Sequence, residues 1–129
     1  MSEADLLAQR IDVIERGYEY LLAYAAQGRQ DDAGTELRET LARMHAALTE
    51  MQGSVRSVFT DLPEPSGAAH FIDAVERDVQ TARGALGLVL GRERIASLLI
   101  DNFNASVHVR ALLTDVFLIE QALKSPPRQ

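Results

Sequence analysis

Apolar residues recur along this chain every three or four positions, the spacing that lines one face of an α-helix. In the first segment Leu7, Ile11, Ile14, Tyr18, Leu21 and Ala25 form the seam of a helix packed lengthwise on a partner. Ser2 stands where an N-cap belongs, with Asp5 three residues on, and Gly28 offers a stop. A helix is therefore expected over roughly 3–27. After a polar turn from Gly28 to Gly34, the rhythm resumes at Leu37, Leu41, Met44, Leu48, Met51, Val55 and Val58 and runs straight through Gly53. The second helix is expected over roughly 32–60, with Gly53 as the place for a bend, since glycine weakens a helix interior.

Pro63 and Pro65 remove backbone donors and push their predecessors into extended shapes, so residues 61–67 read as a linker. Beyond it Ile72, Val75, Val79, Ala82, Leu86 and Val89 define a third helix over roughly 67–90. A fourth is expected over roughly 92–124. Ile95, Leu98 and Leu99 open its apolar face, the phase slips at 102–106, and a clean stripe then runs from Ala105 to Leu123. That slip places a kink or short break near Asn104. Sustained period-two alternation and hairpin dipeptides are missing. The expected fold is all-α, an antiparallel four-helix bundle of long helices. It would be one domain over 1–129, made of two helical hairpins at about 3–60 and 67–124.

Two of these helices carry more apolar surface than one bundle core needs. On the first, Leu6, Val13, Tyr20 and Tyr24 form a second stripe, with Gly17 at the same phase. On the fourth, Leu113 and Phe117 widen the seam until the helix is apolar almost all round. The excess points to a further partner, most simply a second copy in a two-fold dimer, or another protein. All three tyrosines lie in the first helix, and tyrosine is enriched at interfaces.

Composition narrows the function classes. Of 129 residues 47% are hydrophobic, which suits one globular domain rather than a disordered chain. With no cysteine, a disulfide framework, a thiolate metal site and a cysteine nucleophile are excluded. The net charge of −6 argues against nucleic acid as partner. Eleven acids and 6 bases fall in residues 1–61, so the first half is the acidic one and would steer basic partners. The acidic start resembles no secretory signal and no apolar run is long enough to span a bilayer, so membrane insertion is not expected and a cytoplasmic location is.

Chemistry has few residues to draw on. His45, His70 and His108 are the only histidines, and no Glu-x-x-His spacing occurs, so neither a metal site nor a cofactor is expected. Asp101, Asn104 and His108 step by three and four, and share a face if the fourth helix is continuous there. Together with the phase slip they make a candidate pocket for a small ligand or cofactor. Met44-His45-Ala46-Ala47-Leu48 is compared with histidine phosphotransfer domains, which are four-helix bundles of similar size; it lacks their lysine and glycine close after the histidine. Gln9 to Glu15 resembles the opening helix of the small helical chorismate mutases, but that family's lysine in the following helix is missing, and Lys124 is the sole lysine here. No catalytic residue is assigned. The leading expectation is a non-enzymatic helical interaction module, adaptor-like or chaperone-like, that self-associates. The alternatives are the ligand-binding bundle and a phosphotransfer module using His45.

Overall fold

The computed structural model describes residues 1–59 and 67–126. All the regular structure there is helical: α1 (Glu3–Ala25), α2 (Leu37–Glu50), α3 (Ser54–Val58), α4 (Ala68–Leu90), α5 (Ser97–Ala105) and α6 (His108–Lys124). The six pack together around one core. α1 lies against α2 on one side and α5 on the other, and α4 lies between α2 and α6. α6 rests chiefly on α4 and more lightly on α1 and α5.

Most seam positions read from the sequence are buried, whereas Leu98, Ala105 and Leu123 are exposed. Leu7, Ile11, Ile14 and Leu21 of α1 meet Leu37, Leu41, Met44 and Leu48 of α2 within one core. Val75, Val79, Ala82 and Leu86 of α4 and Val109, Leu112, Val116 and Ile119 of α6 complete it. Ser2 caps α1: its Oγ accepts from the Asp5 N–H at 3.1 Å, and the Asp5 carboxylate accepts from the Ser2 N–H at 3.2 Å. This reciprocal pair satisfies two donors that a bare helix start leaves open.

The boundaries differ from expectation in three places, each for a local reason. The second helix is interrupted: the backbone turns at Met51–Gly53, with Gly53 at φ 81°, a conformation glycine adopts without a Cβ clash. Glu76 of α4 then accepts the N–H groups of Gly53 and Arg56 at 3.0 and 2.9 Å, and so caps α3 from across the interface. Residues 92–96 are not helical, because the Ile95 N–H and carbonyl are taken by Asp32 and Tyr24 instead of by helix neighbours. The span expected as one helix over 92–124 is two, parted at Ser106–Val107, where Val107 sits at φ 59°. The linker read at Pro63 and Pro65 lies outside the described residues.

Candidate functional site

Leu6, Val13, Gly17 and Tyr20 of the surplus stripe of α1 lie beside α2. Gly17 is buried with the Met44 side chain directly over it: a Cβ there would lie 2.5 Å from Met44 Cγ and Sδ. Glycine is what lets the two helices close at this point. Leu6 and Tyr20 are half-buried and Val13 is exposed along the lip of the same interface. They line two grooves of about 300 and 370 Å³, which share Val13 of α1 and Arg43 of α2. Arg10 pairs with Glu50 across the first groove at 3.0 Å, and Arg16 pairs with Asp12 beside the second.

Tyr24 is corrected from a surface anchor to a core residue, only 1% exposed. Its hydroxyl donates to the Ile95 carbonyl at 2.5 Å, with the Asp31 carbonyl 3.1 Å away. Around it one end of the molecule is tied by polar contacts. Ser97 Oγ donates to the Tyr24 carbonyl at 2.7 Å and accepts from the Arg29 N–H at 2.9 Å. Arg38 of α2 donates to the carbonyls of Leu90, Arg92 and Glu93 at 2.9–3.2 Å, where the C-terminal dipole of α4 favours a cation. The same guanidinium pairs with Asp32 at 3.2 Å. Burial works to raise the Asp32 carboxyl, but the Ile95 N–H and Arg38 outweigh it and hold the group below its ordinary value. The Tyr24 phenol is pushed up, by burial first and then by the Asp32 carboxylate, so it remains a donor. This knot is architecture, and it explains why a tyrosine sits in the core.

On α6, Leu113 is buried, but Phe117, Leu118 and Leu123 are 42%, 58% and 50% exposed. α6 contributes one side to the core and keeps apolar side chains outside it. Leu88 and Leu98 are exposed as well, at 70% and 71%, and Leu88 borders an apolar groove of about 290 Å³ between α4 and α5.

Asp101, Asn104 and His108 are not brought together. Asp101 and Asn104 line a shallow groove against Tyr18, Leu22 and Ala25 of α1, whereas His108 borders the α4–α5 groove. The break at Ser106–Val107 separates them. The Asn104 amide donates to the Leu21 carbonyl at 3.3 Å, and its buried Oδ1 has no partner. His45 is half-buried, its Nε2 3.8 Å from where a Cβ on Gly87 of α4 would stand, while His70 and His108 are exposed.

One pairing was not visible in the sequence. Asp115 of α6 lies near Asp78 of α4, and both are half-buried. Burial first, and then the facing Asp78, push the Asp115 carboxyl up to about 6. Each aspartate directly precedes a core valine, Val79 and Val116, and that adjacency is the only sequence signal for it.

Among the described residues no cluster of three or more His, Asp or Glu is placed to hold a metal ion. No helix among them is long and apolar enough to cross a membrane. Comparison with known protein families, with curated proteins and with solved structures gave no match to this chain.

Proposed function

We propose that this chain is a non-enzymatic interaction module that self-associates through the outer face of α6. In this reading the six helices act as four struts, α2 with α3 and α5 with α6 each forming one interrupted strut. The observation that carries it is the pair Phe117 and Leu118, exposed side by side on a helix whose other side is already committed to the core. Charge favours a second copy as the occupant. α6 carries Arg110 and Lys124 against Asp115 and Glu120 and is neutral in sum, whereas α1 carries five acids and two bases. Two acidic chains meeting on α6 avoid the repulsion that an α1 contact would impose.

Sedimentation of the purified chain across the micromolar range tests this. A concentration-dependent shift to the mass of a dimer is expected. Leu118→Glu should weaken it by about 2 kcal/mol, roughly thirtyfold in Kd, with unchanged helicity. A chain that stays monomeric at high micromolar concentration overturns the reading, as does a Leu118→Glu variant that dimerises as well as the parent.

A further inference from the structure

We propose that the groove between α1, α5 and the start of α6 binds a small zwitterion of amino-acid or short-peptide size, with Asp101 holding its ammonium and Arg110 its carboxylate. The site is independent of self-association, since the groove shares no residue with the outer face of α6 at Phe117 and Leu118.

Three observations meet in this groove. The first is a pair of opposite charges. Asp101 of α5 and Arg110 of α6 line one cavity of about 370 Å³, together with Tyr18, Leu22 and Ala25 of α1. Both charged side chains are exposed. Neither takes part in the ion pairs of the described residues, which are Arg10–Glu50, Arg16–Asp12, Arg38–Asp32 and Arg56–Asp73. Opposite charges that border one cavity without pairing leave room for a molecule that carries the complementary pair.

The second is the backbone that puts them there. Asp101 and Arg110 are nine residues apart, which on an unbroken helix is about two and a half turns and so opposite faces. They reach the same groove because the chain breaks at Ser106–Val107, with Val107 at φ 59°. A β-branched residue in that conformation is strained, and Val107 itself borders the groove. The third is an unmet acceptor. Asn104 lines the same groove, and its amide nitrogen is committed to the Leu21 carbonyl at 3.3 Å. That bond fixes the orientation of the amide and leaves Oδ1 buried without a partner. A buried acceptor left open is costly, and an ammonium entering beside Asp101 supplies the missing donor with a small movement of the groove wall.

The same arrangement sets the selectivity. A plain anion drawn to Arg110 meets the Asp101 carboxylate, and a plain cation drawn to Asp101 meets the Arg110 guanidinium, so only a ligand with both charges is favoured at both ends. Leu22 and Ala25 give its apolar body a surface. The cavity is of the size that small-ligand sites have.

Titration of the full chain followed by its amide resonances in two-dimensional NMR tests the site, with L-leucine and leucyl-leucine as probes. Saturable shifts at Leu22, Asn104 and Val107 are expected with at least one of them. None is expected with isocaproate, which lacks the ammonium, or with isoamylamine, which lacks the carboxylate. Asp101→Asn and Arg110→Gln should each weaken binding about tenfold, the loss of one charge-assisted contact. Both side chains are exposed, so helicity and melting temperature should not change. A repeat in the Leu118→Glu chain keeps assembly out of the measurement. The site is overturned if neither zwitterion gives saturable shifts at millimolar concentration, or if the shifts lie outside the groove. Binding of isocaproate or isoamylamine as tight as that of the zwitterions overturns it too, as does undiminished binding in both variants.

Discussion

Tyr24→Ala is expected to lower the unfolding free energy by about 4 kcal/mol, the largest single loss among the substitutions considered, and Tyr24→Phe by about 1–2 kcal/mol. The alanine variant loses a ring that is 1% exposed and leaves a cavity between α1 and the segments on either side of Ile95. The phenylalanine variant keeps the ring and removes only the hydroxyl. Its cost isolates the hydrogen bond to the Ile95 carbonyl, a group that no helix neighbour satisfies because residues 92–96 are not helical. Urea unfolding followed by circular dichroism measures both. A phenylalanine variant as stable as the parent would show that the hydroxyl contact contributes nothing and that the chain crossing at Ile95 is held by packing alone.

Gly17→Val is expected to cost about 2–3 kcal/mol, against what helix propensity alone implies. Any residue other than proline in place of a helix-interior glycine gains a few tenths of a kcal/mol or more. Here the added Cβ would fall 2.5 Å from Met44 Cγ and Sδ, inside any permitted contact, and Met44 is fully buried with no free side to move to. Overpacking of that kind typically costs about 1–3 kcal/mol, so the steric effect exceeds the propensity gain. Met44→Ala alone makes a cavity and destabilises as well. Combined with Gly17→Val, the two changes should fill each other's space, and the double variant should be at least about 1 kcal/mol more stable than the sum of the singles. Strict additivity would mean that the two side chains do not meet.

The seams were legible because a buried helical face must repeat every three or four residues, and Leu7, Leu41, Val79 and Val116 all lie where that rule puts them. What periodicity could not show is which neighbour each flank meets. Leu6, Gly17 and Tyr24 looked like spare surface because a single seam was assumed for α1. A helix held between α2 and α5 uses two flanks: Gly17 closes on Met44 of α2, and Tyr24 reaches the segment at Ile95. Tyr24 misled for a further reason: its value as an interface residue and its value as a buried hydrogen-bond donor rest on the same amphipathic ring. Interruptions were harder still. Gly53 was suspected as a bend, but the loss of helix at 92–96 depends on acceptors and donors more than fifty residues away. The phase slip at 102–106 marked the region of the break, but nothing marked Val107 itself, since valine is an unusual choice for a positive φ. Asp101, Asn104 and His108 appeared as one face only on the premise of an unbroken helix. The Asp78–Asp115 pair had no premise at all until α4 and α6 were seen side by side.

The knot also bears on the order in which the chain acquires its structure. All its members fall between Tyr24 and Ser97, and its ties span separations such as the 52 residues from Arg38 to Leu90 and the 73 from Tyr24 to Ser97. Closing such long loops is the entropically expensive part of reaching the native topology, and it is slow until enough contacts form together. None of those ties involves α6. Nothing in the knot depends on α6, so closing these long loops and docking α6 are separable steps.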